Sequence, residues 1–369
     1  MLCEKKLVRQ AVVSESKIKI LILSDSRAFH TERIVEQLEK QNYDVLTLSM
    51  ENGDMEHVNL QKRSCFKFLY YRLAVPEIKK IIDEFQPDIV NAHYATGYGY
   101  TAALALRNKN IPLILNLWGS DILRVPNKSF LHKRKARVAL ENASYVLADS
   151  QYLLDEAYKI FPLNNSTVIY WGIENEMLDF HKENYTFNKP LRIIVPRPHE
   201  EVYRNEFIIE ALADYLKSGE IQIIFPSWGK LFSSFKQKAE NISTDNISFY
   251  NKMNRKDYLK YFASHDLYLS NAETDSSPVS LIEAMALGLI PVTADIEGVK
   301  EWLGDNNGFR FKENNFSDLQ KIIIEIIKSD NLYDSMRKKN LEIVKEKGLF
   351  ENNIEAHVKI LKDQIGIDD

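Results

Sequence analysis

Residues 267–293 place a strand, a polar loop, a helix and a second strand in direct succession, and this order limits the chain to few folds. The apolar run 267–269 predicts a buried strand, and the polar loop 271–277 follows it. Ser277 is a favourable N-cap for the helix, and Gly288 is placed to end it before the next strand. The segment is therefore typical of a parallel α/β sheet, in which ligands bind at the carboxyl ends of the strands.

Two acidic residues distinguish this segment from a plain scaffold. Asp275 lies in the loop and Glu283 in the helix, with seven residues between them. The helix around Glu283 is almost wholly apolar, and an unpaired charge buried there would be costly. A pair of ligand hydroxyls, such as those of a ribose, could supply a partner. The alternative is a surface aspartate and a glutamate that forms a salt bridge with a nearby lysine, and the spacing alone does not separate the two.

The start of the same helix offers a site for a phosphate group. The first amide N–H groups of a helix have no partner within it, and the helix dipole favours an anion there. We therefore expect the loop to hold a sugar and the helix start to hold a diphosphate. The candidate residues for binding the sugar and the diphosphate in this region are Ser276, Ser277, Pro278, Val279 and Ser280.

Two blocks of the sequence resemble a known family. The run 275–292, Asp-Ser-Ser-Pro-Val-Ser-Leu-Ile-Glu-Ala-Met-Ala-Leu-Gly-Leu-Ile-Pro-Val, resembles the donor-site signature of glycosyltransferase family 4, the retaining group 1 glycosyltransferases with the GT-B fold. That family has a glutamate at the position of Asp275, whose shorter side chain must reach a sugar hydroxyl differently. The second block comprises 93–99 and 118–123. The catalytic-site candidates that the resemblance implies are Asp275, Glu283, His93 and Asp121.

His93 and Asp121 each follow a predicted strand, so both side chains are expected at one edge of the sheet. A single histidine at a strand end is more often a hydrogen-bonded core residue than a catalytic one. Its occurrence together with Asp121 in a block that resembles the family favours the functional interpretation. Because the family's reaction is thought to need no protein base, we interpret both residues as positioning groups.

The loop 25–31 follows the strand predicted at 17–24 and precedes a helix. It lacks a glycine-rich dinucleotide fingerprint, which argues against a nicotinamide or flavin enzyme. The resemblance implies that this loop and the 118–123 block face the cleft beside the acceptor. The acceptor-side candidates are Ser26, His30, Thr31, Gly119 and Ser120.

The second domain departs from the family at one basic position. Arg197 follows a predicted strand and matches the family's phosphate-binding arginine. The lysine that the family has about five residues later is absent, and Arg204 could replace it only through a shifted loop. Trp228 follows the next strand, where the family's nucleotide base often lies. Arg197, Arg204 and Trp228 therefore complete the expected donor site.

Composition excludes several other classes of protein. The 369 residues are enough for two domains, and a net charge of −4 gives no support to general nucleic-acid binding. Two cysteines provide neither a disulfide framework nor a zinc cluster, and no Asp-x-Asp metal motif occurs in the body of the chain. Residues 1–16 lack the apolar core of a signal peptide, and no apolar run is long enough to span a membrane. A cytoplasmic location is expected.

The segment 63–85 mixes aromatic and basic residues, so it could lie on the inner face of an anionic membrane. The alternative, which we favour, is that its aromatic side chains belong to the core and its cations to a solvated face.

The sequence thus predicts an α/β protein of the GT-B fold, with two Rossmann-like parallel-sheet domains facing a central cleft. The expected division is a tail at 1–16, an acceptor-side domain at 17–175, a nucleotide-sugar-binding domain at 176–347, and a helix at 348–369 that crosses back to the first domain. The resemblance implies metal-independent, retaining transfer of a sugar from a UDP- or GDP-sugar co-substrate, without a bound cofactor, to a glycan or lipid-linked acceptor in surface polysaccharide or glycolipid assembly. An inactive GT-B partner subunit and a nucleotide-sugar epimerase are the alternatives.

Overall fold

The computed structural model describes residues 17–60, 67–182, 186–329 and 333–367. This part of the chain forms two parallel β-sheets, each covered by helices on both faces, with a cleft between them. The prediction of two Rossmann-like α/β domains is therefore confirmed. Within the described ranges, no helix is both long enough and apolar enough to cross a membrane.

The first sheet has seven strands in the order β3-β2-β1-β4-β5-β6-β7, and every pairing in it is parallel. Its strands are β1 Lys19–Leu23, β2 Asp44–Ser49, β3 Val58–Asn59, β4 Ile89–His93, β5 Leu113–Leu117, β6 Tyr145–Ala148 and β7 Ser166–Val168. The strand order reverses between β1 and β4, and open α/β sheets bind ligands at such a reversal.

Seven helices accompany this sheet in the described residues. They are α1 Phe29–Lys40, α2 Lys67–Leu73, α3 Val75–Phe85, α4 Tyr100–Ala105, α5 Ser120–Leu123, α6 Phe130–Asn142 and α7 Gln151–Tyr158. A π-helical turn, Tyr94–Gly99, links β4 to α4. In α2 and α3, Tyr71, Ile78, Ile82 and Phe85 pack into the core of the domain, which favours the core interpretation over the membrane one for residues 67–85. The first residues of that segment, 63–66, lie outside the described residues.

The second sheet has six parallel strands in the order β10-β9-β8-β11-β12-β13. Its strands are β8 Leu191–Ile194, β9 Ile221–Pro226, β10 Ile247–Tyr250, β11 Leu267–Ser270, β12 Ile290–Ala294 and β13 Phe309–Phe311. Its helices are α8 Asn205–Ala211, α9 Ala213–Ser218, α10 Phe232–Ile242, α11 Arg255–Ala263, α12 Val279–Leu287, α13 Glu297–Lys300, α14 Phe316–Lys328 and α15 Asp334–Lys347. The order reverses between β8 and β11.

A last helix, α16 Phe350–Ile365, returns to the first domain. Its residues Ile354, Val358 and Leu361 pack in the same cluster as Ile20 and Ile22 of β1. The chain therefore crosses between the domains twice, and burial of this apolar face holds the crossing in place.

The two crossings pass each other at Gly172, which has a φ of +47°. A Cβ atom there would lie 1.9 Å from the carbonyl oxygen of Gly348, so only glycine fits. The neighbouring Ile173 N–H donates to that same carbonyl at 2.9 Å.

The strand-loop-helix-strand segment forms as predicted, and Gly288 ends α12 in the left-handed region with a φ of +82°. The expected N-cap is wrong: the residue that precedes α12 is Pro278, and no side chain caps the helix. The Ser277 hydroxyl instead accepts a hydrogen bond from Nε1 of Trp302 at 3.2 Å. The indole therefore occupies the oxygen that would otherwise have accepted a helix amide.

Candidate active site

A cavity of about 280 Å³ lies in the cleft, where the carboxyl ends of strands from both sheets meet. The first domain and the linker after β7 contribute His30, Trp118, Asp149 and Trp171. The second domain contributes Pro196, Arg197, Tyr203 and the whole run 275–280. The lining residues follow β1, β5, β6 and β7 of the first sheet and β8 and β11 of the second, so each domain supplies one wall.

Arg197 is the buried cation of the second wall, with 8% of its surface exposed. Its Nη2 atom lies 2.9 Å from Oδ2 of Asp275 and donates to the Tyr268 hydroxyl at 3.2 Å. The Tyr268 hydroxyl in turn lies 3.1 Å from Oγ of Ser280. These contacts fix the guanidinium beside the start of α12, while its Nε atom is buried without a hydrogen-bond partner. An anion in the cavity could accept from that atom.

The start of α12 supplies further donors to the same wall. The N–H groups of Leu281 and Ile282 donate to the carbonyl of Pro278, so the helix ladder begins with them. The preceding amides, of Val279 and Ser280, have no carbonyl one turn upstream within the helix and belong to residues that line the cavity. A helix start and a buried guanidinium side by side form an anion site.

The loop that carries Asp275 is held from both domains. The Ser276 N–H donates to Oδ1 of Asp275 at 3.0 Å, and the Ser276 hydroxyl donates to Oδ2 of Asp149 at 2.8 Å across the cleft. Behind the loop, a Cβ on Gly298 would lie 2.1 Å from the carbonyl oxygen of Asp275. In front of it, a Cβ on Gly119 would lie 2.7 Å from the Ser276 hydroxyl. Two glycines therefore let the loop pass between neighbouring backbones.

Glu283 is buried, but its partners come from the protein itself. Nη1 of Arg255 lies 2.7 Å from Oε1, and the Tyr258 hydroxyl donates to Oε2 at 3.2 Å. Neither the ligand hydroxyls nor the lysine that we considered from the sequence is therefore needed to pair this carboxylate. Glu283 does not line the cavity, although each oxygen keeps a free lone pair for one more donor.

Trp228 lies near Glu283 through a chain of aromatic rings. It packs edge-on against Tyr250 with the ring centres 5.4 Å apart, and Tyr250 lies 6.5 Å from Tyr258. Trp228 is half-buried at the end of β9 and does not line the 280 Å³ cavity. The structure thus brings the base-side candidate close to the ribose-side candidate but places both outside the cavity of Arg197.

Arg204 does not join Arg197 in the cavity. Its Nη2 atom lies 2.8 Å from Oε2 of Glu313, and its Nη1 atom donates to Oδ1 of Asn314 at 3.0 Å. These contacts hold the guanidinium against the loop that follows β13. In this conformation Arg204 does not replace the missing lysine, and the neighbouring Tyr203 lines the cavity instead.

The first wall is aromatic. The His30 ring stacks on Trp118 at 4.5 Å and 20°, and Trp118 stacks on Trp171 at 5.4 Å and 23°. Nδ1 of His30 and Nε1 of Trp118 are buried without hydrogen-bond partners. Burial, together with the nearby charge of Arg33, lowers the pKa of His30 to about 4. At neutral pH the stack is therefore uncharged, and a ligand could satisfy its two polar atoms.

His93 lies one layer behind this stack and is fully buried. Its Nδ1 atom lies 2.8 Å from the Ser24 hydroxyl, which lies 2.7 Å from the hydroxyl of Thr31. Burial lowers the pKa of His93 to about 3, so the ring is neutral. Its ring centre is 5.4 Å from that of Trp118. His93 and Thr31 therefore support the stack from behind and do not line the cavity.

Asp121 braces the backbone around the same edge of the sheet. Its Oδ2 atom accepts from the Ala95 N–H at 2.7 Å, and its Oδ1 atom accepts from the Trp118 N–H at 3.1 Å. Burial raises the pKa of the Asp121 carboxyl to about 6, and these backbone hydrogen bonds oppose that shift. Asp121 thus fixes the turn that presents Trp118.

A second cavity of about 440 Å³ opens in the first domain beside Asp121. It is lined on one side by Tyr71, Tyr94 and Tyr98 and on the other by Ser120 and Lys135. Ser120 therefore lines this cavity, and its acceptor-side role stays a prediction. Ser26 does not line either cavity: its hydroxyl donates to the Glu51 carbonyl at 2.6 Å and accepts from the Gly53 N–H at 2.9 Å.

Several residues of the site were not among the sequence candidates. They are Asp149, Trp171, Tyr203, Tyr268 and Arg255. Asp149 carries the clearest missed signal, because a carboxylate directly after a buried strand lies at the ligand edge of a parallel sheet. Burial raises the pKa of its carboxyl well above the usual value, although the hydrogen bond from Ser276 opposes this.

Two parallel-sheet domains that enclose a cleft are also found in known structures. Anabaena HepE in complex with UDP and glucose matches with a TM-score of 0.77, covering 94% of this chain and 100% of that one at 16% identity. The fold is that of the GT-B glycosyltransferases.

The sequence comparisons give the family. The profile of the "Glycosyl transferase 4-like" family matches residues 19–150, and that of "Glycosyl transferases group 1" matches residues 179–342. The chain belongs to the group 1 glycosyltransferases. A glycosyltransferase of Methanocaldococcus jannaschii is 26% identical over 82% of this chain and 85% of its own length. TuaC of Bacillus subtilis, named for teichuronic acid biosynthesis, is 27% identical over 62% of this chain and 58% of its own.

Proposed function

We propose that this glycosyltransferase moves a sugar from a UDP-sugar to an acceptor hydroxyl with retention of the anomeric configuration. The observation that carries the proposal is the buried Arg197 guanidinium next to the start of α12, facing an uncharged aromatic wall across an enclosed cavity. This is the arrangement that a diphosphate joined to a sugar requires, because its charge and its carbohydrate part need different surroundings.

In this proposal the diphosphate lies between Arg197 and the first amides of α12. Arg197 supplies its unpartnered Nε–H, and the helix start supplies N–H groups and the positive end of its dipole. No metal ion is assigned a role, since these groups meet the phosphate charge. The presence of UDP in the Anabaena neighbour supports uracil as the base.

The nucleoside is assigned to the region between Glu283 and Trp228. The ribose hydroxyls would donate to the lone pairs of Glu283 that Arg255 and Tyr258 leave unused. The base would stack near Trp228 and Tyr250 at the end of β9. The nucleoside would then lie in the part of the cleft beside α11, outside the 280 Å³ cavity.

The proposed reaction exchanges one bond to the anomeric carbon for another. The acceptor oxygen forms a bond to that carbon on the face from which the diphosphate departs, the bond from the carbon to the diphosphate oxygen breaks, and the acceptor proton passes to a phosphate oxygen. Arg197 and the α12 amides stabilise the charge that develops on the leaving diphosphate. Asp275 holds a sugar hydroxyl, while His93 and Asp121 keep the first wall in position without touching the reacting atoms.

We further assign the enzyme to the assembly of a surface polysaccharide or glycolipid. The name of TuaC, a relative that aligns with 62% of this chain at 27% identity, supports that assignment. The 440 Å³ cavity of the first domain, with its three tyrosines, is large enough for a sugar unit of such an acceptor.

The test is incubation of the purified protein with UDP-sugars, alone and with mono- and disaccharide acceptors, followed by NMR of the products. The proposal expects UDP release that depends on acceptor and a product with the donor's anomeric configuration. An inverted product would contradict retention. UDP binding with no turnover on any acceptor would favour an inactive partner subunit, and sugar isomerisation without acceptor would favour an epimerase.

A further inference from the structure

The first domain carries a surface whose composition differs from the rest of the chain. Residues 122–140 contain six Lys and Arg and no Asp or Glu, although the whole chain has a net charge of −4. The segment covers the end of α5, a 3-10 turn at Pro126–Lys128, and most of α6. We call residues 124–137 the basic ridge.

The basic ridge also carries the two most exposed large apolar side chains of the described residues. Phe130 is 76% exposed and Leu131 is 64% exposed, whereas the next, Phe29, is 45% exposed. Both lie in the first turn of α6, which Ser129 caps by accepting from the His132 N–H. The folded chain buries neither of these two side chains. Both are therefore available to contact another surface.

Two of the six cations of the ridge follow this apolar pair after His132 in the sequence and are exposed. Ala136, Ala139 and Leu140 form the face of α6 that packs into the domain, whereas Lys133 and Arg134 are exposed. Among the residues that the structure describes, neither Lys133 nor Arg134 forms an ion pair. Their charges are therefore not neutralised within the described structure.

We propose that the basic ridge docks this enzyme onto an anionic lipid bilayer, with Phe130 and Leu131 inserted among the acyl chains. A pair of exposed apolar side chains followed closely by an exposed Lys and an exposed Arg is suited to a bilayer interface that carries negative charge. Because the rest of the chain is net negative, an anionic surface would repel most other faces and so select this one. The charge pattern thus fixes the orientation as well as the attraction.

The ridge lies at the mouth of the cavity assigned to the acceptor. His132 and Lys135 of α6 line the 440 Å³ cavity together with Ser120. Arg124 and Lys128 line a neighbouring cavity of similar size between the domains. Docking through Phe130 and Leu131 would therefore present the acceptor cavity to the bilayer surface, which deepens the proposed function by specifying a lipid-linked acceptor. Only this last step rests on the proposed function.

The test is co-sedimentation of the full chain with vesicles of phosphatidylcholine alone or mixed with phosphatidylglycerol, without donor or acceptor. We expect binding only to the mixed vesicles, and less of it as salt is added. Lys133→Glu with Arg134→Glu should lower the partition coefficient at least about 30-fold, since each cation near such a surface contributes about fivefold. Phe130→Ser with Leu131→Ser should lower it about tenfold or more, from the lost apolar burial.

The matched control is Lys79→Glu with Lys80→Glu on α3, two exposed lysines of the other basic segment of this domain. Binding within about twofold of wild type is expected for this control, with melting temperatures of all three variants near that of wild type. An equal loss in the control, or no binding of wild type to anionic vesicles, would overturn the proposal. So would dimers in sedimentation velocity that Phe130→Ser with Leu131→Ser abolishes, because a second copy would then be the occupant. None of these outcomes depends on sugar transfer.

Discussion

The two walls of the cleft are built on opposite electrostatic plans. The second domain holds its charges as ion pairs, Arg197 with Asp275 in the cavity wall and Arg255 with Glu283 outside the cavity. The first-domain wall is an uncharged stack of His30, Trp118 and Trp171. Fixed charge suits the diphosphate of a donor, whereas flat uncharged rings suit the sugar that the diphosphate carries. We therefore expect substitutions in one wall to leave the structure of the other wall unchanged.

The largest loss of activity is expected when the cation of the charged wall, Arg197, is removed. Arg197→Ala should lower kcat/KM by at least about a thousandfold, or about 4 kcal/mol of transition-state stabilisation. The physical reason is that Arg197 is the buried guanidinium beside the α12 amides. Arg204→Ala is the matched control, since Glu313 and Asn314 hold that guanidinium outside the cavity. Steady-state kinetics would contradict the account if the two variants lost equal activity.

The second ion pair of this domain, Arg255 with Glu283, should contribute to the free energy of unfolding. Glu283→Ala leaves Arg255 without its 2.7 Å partner and should lower the free energy of unfolding by about 2 kcal/mol. Because Arg255 is 37% exposed, the coupling in a double-mutant cycle with Arg255→Ala should be smaller, about 1 kcal/mol. Urea denaturation of the four proteins measures both quantities. A coupling of zero would mean that the ion pair contributes nothing in solution.

The uncharged wall should reveal itself through pH. The pKa of His93 is about 3 in the folded chain, below its ordinary value, so unfolding takes up a proton between that pH and about 6.5. Its contribution to stability is therefore present at neutral pH, falls as the pH drops through 6.5, and amounts to a loss of about 2 kcal/mol at pH 5. His93→Asn should flatten this part of the profile, measured by urea denaturation between pH 7 and pH 5.

Asp121 provides the control of opposite sign. Its folded pKa of about 6 lies above the ordinary value, so the folded chain takes up the proton first and gains stability as the pH falls. Asp121→Asn should therefore make the acid loss steeper, by about 1 kcal/mol at pH 5. A profile that both variants change in the same direction would contradict the assigned pKa directions.

The smallest effect is expected where the two walls meet. Ser276→Ala removes the 2.8 Å hydrogen bond to Asp149 across the cleft and should cost about 1 kcal/mol of stability. Ser234→Ala, which removes an exposed hydroxyl bond to the Leu231 carbonyl within the second domain, is the control and should cost less. The melting temperatures of both variants are measured by calorimetry. Equal changes in the two would contradict this interpretation.

The architecture could be predicted because its signals are local. The apolar run of β11, the polar loop after it and Gly288 at the end of α12 lie within a few residues of one another. Periodicity and turn chemistry therefore determine this unit before any tertiary contact forms. The parallel sheets follow from it, since such units assemble in few ways.

The partners of the site residues could not be predicted in the same way, because they come from distant parts of the chain. Arg255 reaches Glu283 from α11, Trp302 takes the hydroxyl of Ser277, and Glu313 draws Arg204 away from the cavity. A sequence motif fixes which side chains reach the carboxyl edge of a sheet. It does not fix which of them pair with each other, since that depends on the packing of non-neighbouring elements.

Calorimetric titration of UDP into the wild-type protein, Arg197→Ala and Arg204→Ala measures whether the diphosphate binds at Arg197. We expect wild type and Arg204→Ala to bind UDP with affinities within about threefold of each other. The affinity of Arg197→Ala for UDP should be at least about a hundredfold lower, because the variant loses a buried charge-assisted phosphate contact. Equal binding of UDP by Arg197→Ala and wild type would show that the diphosphate does not lie at Arg197 and the start of α12.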